Sequence, residues 1–448
     1  MRRSISTLAA TALISAACLT GCGSGSSAGS GGANLTMWLW NPPEKAEQQK
    51  CVDGFEAKNP GTKVKIEQYG WGDYWNNLTT HMAAGDAPDV ITMSSVYFPQ
   101  YQQQHQLLDL SKTAATKKIG LGDFVGGLGR SWTDPEGKGT YALPKEWSTQ
   151  GLFYNKDLAK KAGIGDSDMQ KLAWNTEDGG TFEKTVAHLT VDRNGVRGDE
   201  PGFDKKHVKV YGLGLLDSGG ALGQVEWSPY VLSNGWDYSD KNPWGTKFNY
   251  SDPAFKSTIE WWRSMITKGY SPTLAQALSA VSTQQPYAAG KYAIVSEGSF
   301  NTQIYQSFKG VKTGIAPSPI GPSGKRGTQL NSNAYSAWAG TKNPEKAAKL
   351  IAYLESPACQ DVIAKAGTVY PALKSSSDLA VKQQKAKGVD VTPFSNYLTD
   401  GTAHLAPVAD HWSQVVAIMQ PVMDSIIGFK SGVSALDSAN DKINALYK

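Results

Sequence analysis

Apolar positions in the first quarter of the chain change period in a regular order. Residues 35–40 form an apolar run of strand length, and residues 44–59 then place Ala46, Cys51, Val52 and Phe55 at helical spacing before Pro60-Gly61 ends the helix. Residues 64–69 return to a strand pattern, 74–84 predict a helix, Asp89-Val90-Ile91-Thr92-Met93 a short buried strand, and 97–106 a further helix. Such alternation predicts an α/β lobe with a mainly parallel sheet covered by helices. Ligands of such sheets gather beyond the carboxyl ends of the strands, which marks Trp40, Asn41, Ser94 and Ser95 as candidate site residues.

A new apolar segment opens at Tyr141-Ala142-Leu143-Pro144 and leads through Gly151-Leu152-Phe153-Tyr154 into a helix starting near Asp157. A second lobe is expected from here, with helices over 181–189 and 252–268, a strand near 211–215 and an aromatic stretch over 227–236. The Pro/Gly-rich run 315–322 and Tyr370-Pro371-Ala372 read as crossings between lobes, with helices over 343–354 and 357–365 between them and long helices closing the chain. A chain of 448 residues is large enough for two lobes, each with its own core.

Charge narrows the partners. The 44 basic and 40 acidic residues give a net charge of +4 without a basic block of the kind that tracks phosphates, so nucleic acid is excluded as a partner. The 14 Trp, 19 Tyr and 12 Phe matter more, because Trp and Tyr combine a flat apolar face with a polar edge that suits sugar rings. No Gly-x-Ser-x-Gly elbow at a strand-to-helix turn, no His-Glu-x-x-His and no phosphate loop is present, which argues against those enzyme classes. Asp192-Arg193-Asn194-Gly195, with Asp199, Glu200 and Asp204, resembles part of a calcium loop but lacks its full set of oxygen ligands, so an acidic surface loop is the expectation and no metal or other cofactor is expected.

The start of the chain is an address. Arg2 and Arg3 precede a short apolar stretch and small residues, the pattern of a secretory signal over 1–21. Leu19-Thr20-Gly21-Cys22 resembles the lipobox of bacterial lipoproteins, which implies a diacylglyceryl group, palmitate included, on Cys22 and attachment to the outer face of the cell membrane. Two acyl chains hold where one holds only marginally. The lipidated Cys22 and a Gly/Ser tether then occupy 22–33. Cys18 leaves with the signal, so Cys51 and Cys359 remain, either as a disulfide or as two separate thiols.

Six motifs occur in the order found in one family: Phe55-Glu56-Ala57-Lys58-Asn59-Pro60-Gly61, Gly85-Asp86-Ala87-Pro88-Asp89-Val90, Leu143-Pro144-Lys145-Glu146, Tyr154-Asn155-Lys156-Asp157-Leu158, Ala288-Ala289-Gly290-Lys291-Tyr292-Ala293 and Asn343-Pro344-Glu345-Lys346-Ala347-Ala348. Together they resemble the family 1 extracellular solute-binding proteins of ABC importers, whose familiar member is maltose-binding protein. The resemblance implies a two-lobed α/β clamshell of the type II periplasmic-binding-protein kind, with sugar in the cleft. It assigns 34–144 and 318–372 to lobe 1 and 145–317 and 373–448 to lobe 2. It puts Cys51 and Cys359 on helices of one lobe, which favours the disulfide. It also implies a monomer that delivers its sugar to ABC permease subunits and is not an enzyme.

The resemblance carries over to candidate contacts with the sugar. These are Trp40, Asn41 and Glu44 after the first strand, Ser94, Ser95 and Tyr97 after Met93, and Glu146-Trp147 near a crossing. Glu226-Trp227, the Gly298-Ser299-Phe300 platform, Tyr335 and Trp412 complete the set. The turn after Met93 lacks the acidic-basic pair of maltose-binding protein, and Phe300 stands where the family has Trp, so maltose itself is not the expected sugar. A glycoside hydrolase using Glu146 and Glu226 as its carboxyl pair is the alternative enzyme reading. Glycerol phosphate is the alternative solute, although phosphate calls for arginines that the candidate set lacks.

Overall fold

The computed structural model describes residues 34–280 and 282–448. The signal segment 1–21, the Cys22 anchor and the tether over 22–33 lie outside the described residues. Among the described residues, no helix is long and apolar enough to cross a membrane.

Two five-stranded sheets form the two lobes. The first runs Lys63–Gln68, Asn34–Leu39, Val90–Ser94, Asn333–Ala337 and Ala142–Pro144 in spatial order. Its first three strands are parallel, with Leu35 opposite Val64 and Met37 opposite Val90. Leu35, Met37, Val90 and Ile91 are fully buried, because helices cover both faces and leave apolar side chains no solvent side. The helix Lys45–Lys58 buries Cys51, Val52 and Phe55 against this sheet and stops at Asn59, whose side chain donates to the Phe55 carbonyl at 2.9 Å. Helix Trp71–Ala84 ends on Gly85 in the left-handed conformation, φ 78°.

The sheets are mixed, whereas the pattern predicted mainly parallel ones. Asn333–Ala337 arrives from late in the chain and lies antiparallel between Val90–Ser94 and Ala142–Pro144. In the second sheet, ordered Thr313–Pro317, Gln150–Asn155, Tyr292–Gly298, Val208–Leu213 and Val191–Asp192, only Val208–Leu213 and Tyr292–Gly298 pair in parallel. Strands delivered by a crossing from the other lobe need no helical return on the same sheet, so parallel order is not imposed on them.

Two short ladders tie the crossings together: Tyr370–Pro371 with Glu146–Trp147, and Thr328–Leu330 with Ala403–Leu405. Beyond Ala372, helix Lys374–Ala386 packs on helix Pro357–Ala366, with the Ser376 hydroxyl donating to Asp361 at 2.6 Å. Thr392–Thr399 then returns to the second sheet. Helices Trp412–Ile427 and Ala435–Ala445 bury Val415, Met419, Met423, Leu436 and Ile443 in a core that contains Trp174, Trp227, Trp261 and Trp262. Cys51 and Cys359 are joined between helices Lys45–Lys58 and Pro357–Ala366, with Cα atoms 5.0 Å apart.

Candidate binding site

The cleft between the lobes holds two adjoining cavities of about 590 and 520 Å³ that share Trp71, Val96 and Leu222 as lining. The sheet geometry explains which residues reach them. Trp40 and Asn41 follow the carboxyl end of Asn34–Leu39, and Ser94 ends Val90–Ser94. Glu146, Trp147, Asn331, Ser332 and Asn333 come from the crossings. The other cavity adds Tyr97, Gln100, Gln103 and Gln104 from one side and His411, Trp412 and Gln414 from the other.

One wall is aromatic. Trp71 stands edge-on to Trp40 and Trp75, with ring centres 5.0 and 5.4 Å away, and Trp75 stacks on Tyr97 at 4.0 Å. Trp71 is 46% exposed, the largest open aromatic face in the cleft. Across from it, Phe300 is 40% exposed, and its ring lies over Gly298, where any side chain would collide with it. Gly298 thus leaves room for the Phe300 ring, while the buried Ser299 accepts from the Thr149 N–H at 3.4 Å, and neither residue lines the cavities. Ser95 is also buried and holds Asn331 through its hydroxyl at 3.0 Å.

Beside the aromatic side chains the cleft floor is polar. Lys145 is buried between two carboxylates, bonded to Glu44 and to Glu146 at 2.7 Å. Burial alone would disfavour the ammonium, but the fields of Glu146 and Glu44 outweigh it and hold Lys145 above the ordinary lysine range. Burial pushes the Glu44 carboxyl up, the charge of Glu146 adds to the push, and Lys145 opposes it. Asn41 donates to the free oxygen of Glu44, and Asn333 donates to that of Glu146 at 2.5 Å. Glu44 therefore serves the cleft from behind Asn41 and is not itself a lining residue. The Trp147 indole N–H is spent on the Ser377 hydroxyl at 2.8 Å and its ring is buried against Tyr370, so this expected contact closes the base of the cleft as part of the core and presents no open face to a sugar.

Three further expected contacts belong to cores. Trp227 has no exposed surface and packs among Trp236, Tyr238 and Phe255, seated on Gly219 and Gly223, whose missing side chains make its space. Glu226 beside it is buried, and desolvation, followed by the charges of Asp217 and Glu297, pushes its carboxyl well above the usual range. Tyr335 is fully buried mid-strand, between Thr92 and Leu143. In the loop at Asp192, the carboxylate accepts from the backbone N–H groups of Asn194, Val196 and Asp204, so it closes a turn. Sequence reading missed Trp71, although an indole between Gly70 and Gly72 at a helix start was a visible signal. It also missed Asn331 and Asn333, for which there was none.

Residues 40–361 match the family model of the bacterial extracellular solute-binding proteins. The chain belongs to that family. It is 26% identical over 395 residues to the maltodextrin-binding protein MdxE of Bacillus subtilis, covering 88% of this chain and 84% of that one. With the galactooligosaccharide-binding protein of the same organism it shares 25% identity over 460 residues, 98% and 96% of the two chains. Among solved structures, the ABC substrate-binding protein Lmo0181 from Listeria monocytogenes, in complex with cycloalternan, superposes with a TM-score of 0.76 at 19% identity, covering 92% and 98%. The shared architecture is the two-lobed α/β fold, in a family of binding proteins that act outside the cell.

Proposed function

We propose that this chain is the substrate-binding component of an ABC importer, held at the outer face of the cell membrane through Cys22 and carrying a sugar or oligosaccharide to the permease. One observation carries the reading: an interlobe cleft sets an aromatic wall around Trp71 beside amides, hydroxyls and, among the described residues, the single carboxylate Glu146. Aromatic faces cover the apolar side of a sugar ring, and the amides and carboxylate satisfy its hydroxyls. A ligand touching Trp71 and Asn41 of the first lobe together with Phe300 or Trp412 of the second favours the closed state by its differential affinity, and closure is what a permease reads. The sugar-binding relatives support the same class of ligand.

Among the described residues no Arg or Lys lines either cavity, which disfavours glycerol phosphate. The hydrolase reading is disfavoured because Glu226 is buried and lines neither cavity, whereas Glu146 lines one of them. A thermal-shift screen of oligosaccharides, followed by calorimetry and Trp fluorescence, tests the proposal. The expected result is a raised Tm, heat of binding and altered fluorescence with at least one saccharide, and no product formed from it. Silence across a broad panel refutes the ligand class, and hydrolysis refutes the binding-only role. Loss of palmitate labelling and membrane retention in Cys22→Ala is expected of the anchor.

A further inference from the structure

Three asparagines line the half of the cleft nearest the crossings, and the protein fixes which way each amide faces. A side-chain amide carries a carbonyl acceptor on one side and an N–H2 donor on the other, while ionised carboxylates only accept. Asn41 must therefore turn its Nδ2 toward Glu44 Oε1, and Asn333 must turn its Nδ2 toward Glu146 Oε1, 2.5 Å away. Lys145 takes the second oxygen of each glutamate, which removes the freedom of either carboxylate to swing aside. Asn331 is held the other way round: its Oδ1 accepts from the Ser95 hydroxyl at 3.0 Å and from the Ser332 N–H at 3.1 Å. All three asparagines are half-buried. Oδ1 of Asn41, Oδ1 of Asn333 and Nδ2 of Asn331 meet no protein partner among the described residues.

We infer that Asn41, Asn333 and Asn331 display a fixed acceptor, acceptor and donor on the cleft floor, and that this code with Glu146 selects neutral saccharides over acidic ones. The inference rests on the saccharide reading above. A neutral hydroxyl donates to Asn41, Asn333 or Glu146 and accepts from Asn331, because it has both a proton and lone pairs. A uronate carboxylate satisfies Asn331 alone, leaves the two asparagine carbonyls unmet, and faces the like charge of Glu146. Specificity here is built as rejection as much as attraction. Glu44 and Lys145, which do not line the cavity, act as positioning residues for the amides.

The first measurement needs no ligand. Nitrogen-15 spectra and hydrogen exchange of side-chain amides in the full-length protein are expected to show one slowly exchanging Nδ2–H each on Asn41 and Asn333, and free exchange on Asn331. Glu44→Gln, which can present either amide face to Asn41, is expected to move the Asn41 signal and leave that of Asn333 in place. Exchange of Asn41 and Asn333 at the solvent rate in the unaltered protein overturns the code. The second measurement is calorimetry with galactobiose against digalacturonate and mannobiose against dimannuronate. In any pair that binds, the acidic member is expected to be weaker by about tenfold or more. An acidic member that binds as tightly as its neutral partner overturns the selectivity and leaves the saccharide reading standing. Silence toward all four counts against the saccharide reading, and the amide measurement then still decides the code.

Discussion

Replacing Trp71 with alanine removes what is, among the described residues, the one aromatic side chain shared by both halves of the cleft. Its size sets the scale of the loss. A tryptophan side chain presents up to about 250 Å², so the 46% of Trp71 left open is about 115 Å². Full coverage by a sugar is worth about 3 kcal/mol at about 25 cal/mol per Å², which is about a hundredfold in Kd. Coverage of half the face gives about tenfold. Stability should change much less, by about 1 kcal/mol or under, because the ring is half in solvent and touches Trp40 and Trp75 only edge-on. Calorimetry on Trp71→Ala with the saccharide that most raises the Tm of the unaltered protein is therefore expected to show a Kd weaker by about ten- to a hundredfold. A change below about threefold, with the fold intact by circular dichroism, would refute the assignment of Trp71 as a ligand platform.

The buried residues predict a contrasting set of outcomes. Trp227→Ala should cost about 3–5 kcal/mol of stability in denaturant unfolding while leaving affinity unchanged where the protein is still folded; lost affinity at full stability would put Trp227 back in the site. Cleaving Cys51–Cys359, which closes a separation of 308 residues, should lower stability by between about 2 and about 6 kcal/mol on the chain-entropy account, and an unchanged unfolding midpoint under reductant would count against it. Glu226 keeps its proton in the folded protein at pH values where the unfolded chain has released it, so it subtracts stability as pH rises above the ordinary glutamate pKa of about 4.3. Glu226→Gln should accordingly be more stable than the unaltered protein at pH 7, with the gap closing as pH falls toward 4, whereas a gap that widens on acidification would reverse the assignment.

The first lobe was legible because its early elements follow one another with short turns, so the change from period two to period 3.6 marks each boundary near Leu39, Lys58 and Ala84. The same pattern is silent about Asn333–Ala337, since periodicity does not say which distant strand will be a neighbour. Asn331 and Asn333 of the polar floor were missed for that reason, while Asn41 and Glu146 were expected: the two asparagines come to Glu146 through pairing, not through sequence proximity. Trp40, Asn41, Ser94, Tyr97, Glu146, Trp147, Phe300 and Trp412 all line the cleft, each at the end of an element or on a crossing. Trp227 and Tyr335 are the opposite case, aromatics whose burial depends on what packs over them. The glycines at 219 and 223 were the available hint that an indole would be enclosed.

The placement of Asn333–Ala337 has a consequence for the order in which the molecule is built. A chain emerging from its N-terminus supplies the strands Asn34–Leu39, Lys63–Gln68, Val90–Ser94 and Ala142–Pro144 early, yet Val90–Ser94 and Ala142–Pro144 have no common partner until residue 337 of 448 has appeared. Until then the first sheet has an open middle, and its helix Lys45–Lys58 still awaits Pro357–Ala366. Contacts this distant in sequence delay closure of the lobe. The topology thus keeps the early half of the protein unfinished for most of its synthesis, the condition in which a chain can still be threaded through a translocation pore.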